Sequence, residues 1–192
     1  MNPTSIKQAL LNRRMLICIF TGFASGMPLY ILISLVPAWL RSEGVGLKEI
    51  GFFALIGLPY TWKFFWSPLL DRYRLAIPGF TKLGASFSAT FGFGGGLRRG
   101  WMLATQIGLL LSIAALGFLN PNTEIWSIAW LCLLIAFLSA TQDIVLDAYR
   151  RQILPDQELG LGNSIHVNAY RIAGLVPGSL SLILADSLPW QS

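Results

Sequence analysis

The sequence predicts an all-α membrane protein, a helical bundle of about five transmembrane helices, and three observations predict it. The 192 residues are 54% hydrophobic and only 12% charged, about half the charge density of a soluble domain. The mean hydropathy is +0.61. The apolar residues gather into five runs near the length, about 20 residues, that a helix needs to cross a hydrocarbon core about 30 Å thick. The alternation that marks a membrane barrel is absent. Lipid offers no partner to open backbone groups, so runs of this length must be helices.

The first span, 15–40, is free of charge. Lys7, Arg13 and Arg14 precede it as they would precede a signal peptide. Its uncharged run of 26 residues far exceeds a signal core of about 7–15 residues, and no small-residue cleavage site follows. It is therefore expected to be a retained helix behind a short arm, 1–14. The second span, 50–70, contains Lys63, and the third, 101–119, contains no charge. The fourth, 125–147, has Asp143 and Asp147 towards its end, and the fifth, 159–185, holds His166 and Arg171.

The connections set the orientation. Ten basic residues lie in the arm and in the connections between spans 2 and 3 and between spans 4 and 5, whereas the other side has only Arg41 and Lys48. The positive-inside rule places the N-terminus and the basic loops in the cytoplasm. This also explains the net charge of +5 without a nucleic-acid partner. Asn120-Pro121-Asn122 reads as a tight outer turn. The segment 74–97 reads as a flexible cytoplasmic insertion, ending in Phe91-Gly92-Phe93-Gly94-Gly95-Gly96. It lacks the lysine–hydroxyl ending of a phosphate loop. Cys18 and Cys132 lie inside apolar runs, so no disulfide, metal or cofactor is implied.

Charges deep in a bilayer cost at least about 2.5–3.5 kcal/mol, so they face a cavity or a partner. At 1.5 Å per residue, Lys63 and Arg171 each fall about 18–20 Å from the start of their spans, near the middle. Asp143 sits in the inner third of its span, with Asp147 one turn lower on the same face. Asp147 reads either as a gate residue or as an interfacial partner of Arg72 or Arg150. Asp143 reads either as a structural partner of Arg72 or Lys63 or as a substrate or proton group. Arg171 is a fixed positive charge suited to an anionic group. His166 is a proton relay or, more plainly, an interhelical hydrogen-bonder. Gly22 and Gly26, and Gly174 and Gly178, have the GxxxG spacing of close helix contact. Pro28, Pro37, Pro59 and Pro177 fall within spans, where each removes a backbone donor and bends its helix.

Several segments carry a family resemblance. Trp66-Ser67-Pro68-Leu69-Leu70-Asp71-Arg72-Tyr73, continued by Leu97-Arg98-Arg99-Gly100-Trp101, resembles the loop between helices 2 and 3 of the major facilitator superfamily. Together with Gly22-Phe23-Ala24-Ser25-Gly26-Met27-Pro28-Leu29, Ile50-Gly51-Phe52-Phe53, Tyr60 to Phe65 and Ala140-Thr141-Gln142-Asp143-Ile144-Val145-Leu146-Asp147-Ala148-Tyr149, it is similar to the AmpG muropeptide permeases. The resemblance implies a major-facilitator-type bundle in the bacterial inner membrane. It implies proton-coupled import of anhydro-muropeptides, products of cell-wall turnover linked to β-lactamase induction. It implies gating by Asp71, Arg72, Arg98, Arg99 and Asp147.

On this reading Lys63 and Arg171 offer positive charge to the peptide carboxylates, and Gln142 hydrogen-bonds sugar or peptide groups. Tyr60 and Trp62 stack on sugar rings, and Asp143 and His166 handle protons. The partners expected are membrane lipid, the sugar–peptide substrate, protons and a remaining transporter half, because the family has at least twelve spans. No enzyme is expected, since there is no nucleophile elbow, zinc spacing or phosphate loop. Two alternatives stand beside this: a non-transporting remnant or accessory subunit, and a carrier of another anionic cargo such as an acyl-coenzyme A.

Overall fold

The computed structural model describes residues 12–72 and 96–187. Most of the arm 1–14 and of the insertion 74–97 therefore lies outside the described residues. Five helical segments follow in chain order: α1 (Arg13–Ser42), α2 (47–72), α3 (Gly96–Leu116), α4 (Ile125–Ile153) and α5 (Asp156–Ala185). Among the described residues there is no strand. Three of the five, α1, α4 and α5, are long and apolar enough to cross a membrane, and α3 is shorter.

The segment expected to form one second span is instead a chain of short pieces. Leu47–Phe52, Leu58–Trp62 and Ser67–Arg72 are α-helical, and Phe53–Gly57 and Lys63–Phe65 between them are tighter 3-10 turns. The prolines explain the rhythm. Pro59 and Pro68 have no N–H to give the carbonyls four residues back. The Leu55 carbonyl, four residues before Pro59, takes the Leu58 N–H instead, and in the turn just ahead of Pro68 the Lys63 carbonyl takes the Trp66 N–H, both three-residue bonds. Each α-piece then restarts with proline in its first turn, where no donor is missed.

α1 and α5 each contain one wide π-turn, Ile31–Leu35 and Val176–Leu180. Pro37 follows the first and cannot supply the N–H that the Ile33 carbonyl would take in a regular helix. Pro177 lies inside the second. The Val176 carbonyl there accepts both the Ser181 N–H and the Ser181 hydroxyl, the latter at 3.0 Å. The two π-turns pack against each other.

Glycine sets how closely α1 and α5 approach. A methyl group at Gly22 would collide with the His166 carbonyl oxygen, and one at Gly26 would stand 2.5 Å from the Tyr170 carbonyl oxygen. In the other direction, Gly174 lies under the Tyr30 ring, where a methyl would come within 2.8 Å. Tyr30 and Tyr170 meet above this contact with ring centroids 5.8 Å apart.

α4, with 29 residues, is about 44 Å long at 1.5 Å per residue and is the hub. It packs on α1, α2 and α3. Two apolar clusters mark its ends. At one end, Val36, Trp39 and Leu40 of α1 pack with Leu109, Leu116, Ile128, Cys132 and Ile135. At the basic end, Met15 and Cys18 pack with Leu154. Arg14 reaches Glu158 at 3.5 Å there, and Arg151 reaches Asp156 at 3.4 Å. The free faces of α3 and α5 are greasy, with Leu110 70% and Ile183 69% exposed, as lipid contact requires.

Candidate functional site

Between the two apolar clusters, α4 changes character. Ala136, Ser139, Ala140, Thr141, Gln142 and Asp143 are all buried, so small side chains let neighbouring helices come close to two large polar ones. Asp143 is 9% exposed. Ser25 of α1 donates its hydroxyl to Asp143 Oδ1. Lys63 of α2 places Nζ 4.0 Å from Asp143 Oδ2. One carboxylate therefore ties three helices together. An ionised carboxylate with no partner would be prohibitively costly in this setting. Asp143 can relieve that cost in two ways, by pairing with Lys63 or by taking a proton.

The surroundings are polar and unevenly satisfied. Gln142 is 1% exposed, and neither atom of its side-chain amide has a hydrogen-bond partner among the described residues. A buried amide left in that condition costs about 1–3 kcal/mol, so it calls for an explanation in function or strain. The hydroxyls of Tyr60 and Ser139 face each other across α2 and α4 without meeting hydrogen-bond geometry. Just below, Trp66 Nε1 donates to Thr141 Oγ1 at 3.2 Å, and its ring lies 5.0 Å from that of Phe137. Thr141 passes its own proton to the Phe137 carbonyl at 2.8 Å. An open groove of about 320 Å³ runs between α1 and α2, lined by Leu29, Leu32, Ile33, Phe53 and Ile56 and ending at Tyr60. Among the described residues no metal-binding cluster is gathered.

The other residues singled out from the sequence fall elsewhere. His166 is buried between α5 and α1, with Nδ1 3.4 Å from Thr21 Oγ1. That hydroxyl already donates to the Ile17 carbonyl at 2.8 Å. Arg171 is exposed, on the face of α5 that also carries Ser164 and Asn168 and away from the buried stripe of Gly162, His166, Ala169 and Ala173. Trp62 is 55% exposed and meets the edge of Phe65 at 6.1 Å. Asp147 pairs with Arg150 at 2.9 Å, one of the two partners left open for it. Arg72 is exposed at the end of α2. The side chains of Asp71, Arg98 and Arg99 lie outside the described residues.

Sequence reasoning missed Ser25, which it read only as part of a small-residue stretch. The signal was available in helix geometry. Ser25 follows Gly22 by three positions, so it shares the packed face of α1. A hydroxyl on that face, inside lipid, needs a partner. Ser139 and Thr141 were missed for the same reason.

No family model matches the chain. Individual proteins do. A protein named anhydromuropeptide permease in Escherichia coli is 48% identical over 179 residues, which is 93% of this chain and 33% of that protein. An uncharacterised protein of Haemophilus influenzae is 49% identical over 188 residues, 98% of this chain and 40% of its own length. In Rickettsia conorii, a protein named putative transporter AmpG 4 is 32% identical over 165 residues, 86% of this chain and 36% of its own length. The chain thus spans two fifths or less of the length of these curated relatives.

Proposed function

We propose, from the premise that the chain belongs to the AmpG muropeptide permease family, that it is part of a membrane carrier importing anhydro-muropeptides together with protons. The observation that carries this reading is Asp143, a buried carboxylate held between Ser25 and Lys63 amid apolar helices. Such a group in a membrane interior marks a substrate or proton path. A proton on Asp143 cancels its attraction for Lys63. The ammonium is then available to a carboxylate of the peptide stem, so proton and substrate arrive together. Gln142, whose amide lacks a partner among the described residues, supplies hydrogen bonds to sugar or peptide amides, and Tyr60 lines the approach.

Several finer points belong to the same proposal. The arm and the basic loops are cytoplasmic and the membrane is the bacterial inner membrane. Asp71, Arg72, Arg98, Arg99 and Asp147 form the cytoplasmic gate. His166 serves mainly to join α5 to α1. Arg171, on an exposed face with Asn168 and Ser164, is poorly suited to lipid. It faces a remaining part of the carrier, in keeping with the share of the relatives that the chain spans. Trp62 lies on the outer face of α2 and is better suited to lipid or to that remaining part than to a sugar ring.

The test replaces Asp143 with Asn in a carrier that contains this chain and follows anhydro-muropeptide uptake driven by a pH gradient. Proton-driven uptake is expected to be lost. Undiminished, still proton-driven uptake would remove Asp143 from the mechanism. Expressing the chain by itself is the companion arm, and uptake by it would contradict the need for a remaining half.

A further inference from the structure

We propose that Ser25 is a positioning residue that holds the Asp143 carboxyl group in both of its protonation states, whereas Lys63 holds only the ionised one. The inference rests on the reading of Asp143 as the proton carrier and adds an asymmetry between its two ties. A serine hydroxyl both donates and accepts, and an ammonium only donates. When Asp143 is ionised, Ser25 donates to Oδ1 and Lys63 stands by Oδ2. When Asp143 takes a proton, its new O–H can donate to Ser25 Oγ, or Ser25 can go on donating to the carbonyl oxygen. One hydrogen bond survives either way. The Lys63 contact, which depends on the negative charge, does not.

The two ties also sit on different mechanical supports. Ser25 is 4% exposed and lies between Gly22 and Gly26, the two positions that press α1 onto the backbone of α5. It cannot move without that interface moving. Lys63 opens a 3-10 turn between two restarts of α2, and its side chain is 38% exposed. Protonation of Asp143 therefore ends the Lys63 tie between α2 and α4, where the Trp66–Thr141 hydrogen bond remains, and leaves α1 fastened to α4. Among the described residues, the other titratable and charged groups facing Asp143 are Tyr60 on α2, Tyr170 on α5, and Asp147 and Arg150 on α4 itself. Both phenols are neutral across the working range, and Asp147 and Arg150 are paired with each other. Lys63 is thus the partner whose hold changes with the proton.

Infrared difference spectroscopy of the full chain in lipid vesicles, titrated in pH, tests this. A carbonyl band of the neutral acid should grow in as pH falls, and Asp143→Asn should abolish it. Ser25→Ala should move that band to higher frequency, because a hydrogen bond is lost. Ser25→Cys, a weaker hydrogen-bonder of similar size, should move it part of the way and serves if the alanine variant fails to fold. Lys63→Met should leave the frequency unchanged while altering the pH at which the band appears. An unmoved band in both Ser25 variants, or a displaced band in Lys63→Met, overturns the asymmetry while leaving Asp143 as the proton carrier. If no Asp143 band appears in the unmodified chain at any pH where it stays folded, the proton reading itself fails, and the tether with it.

Discussion

The α1–α5 contact and the α2–α4 contact are built on opposite principles. α1 and α5 meet through glycines, with backbone carbonyls of one helix where the side chains of the other would be. α2 and α4 meet through side chains: Lys63 with Asp143, Trp66 with Thr141 and Phe137, Tyr60 near Ser139. The first gains from close packing and interhelical contact, the main source of helix association in lipid, and its one titratable ring among these contacts, His166, is set against the Thr21 hydroxyl rather than against a charge. The second depends on polar groups whose strength changes with protonation, and one of its two helices is broken at both prolines. A membrane bundle can thus hold one pair of helices fixed and let another respond. Glycine at the contact of the first pair and the broken course of α2 in the second decide which does which.

The sharpest way to break the comparison is at Gly22. Gly22→Leu forces a branched side chain into the His166 carbonyl and should destabilise the chain by about 3 kcal/mol or more. Thermal unfolding in detergent measures it, and a melt like that of the unmodified chain would show that α1 and α5 are not in close contact. Trp66→Phe keeps the ring on Phe137 but removes the bond to Thr141. It should cost about 1 kcal/mol and loosen α2 without touching α5, which site-resolved hydrogen exchange can follow. Gly178→Ala is the mild case. Its new methyl would meet only Ser34 Oγ, at 4.0 Å, so its melt should stay within about 0.5 kcal/mol of the original. A large effect there would mean that the π-turns are held more tightly than the inner glycines.

Much of the fold was legible because a bilayer constrains it so strongly. Hydropathy and charge located the helical runs, and proline and glycine marked where they would bend or pack. What could not be read was rotation and pairing. Rise per residue places Lys63 and Arg171 near the middle of their spans and Asp143 in the inner third of its own, but which face each presents is set by neighbouring helices. Lys63 and Asp143 converge, whereas Arg171 and Trp62 point outward from the described helices. The two GxxxG pairs announced close contact without saying that both belong to one interface. The fragmentation of α2 was written in Pro59 and Pro68. It emerges only when the donors they lack are counted carbonyl by carbonyl.

The central claim, that Lys63 and Asp143 act as a linked pair inside the membrane, is tested most directly by a double-mutant cycle on unfolding free energy with Lys63→Met, Asp143→Asn and both together. Asp143 is the buried member of the pair, so removing Lys63 alone strands its charge, and removing both does not. The account predicts that the double variant is more stable than the two single losses added together, with a coupling of about 1 kcal/mol or more. Strictly additive losses would contradict it.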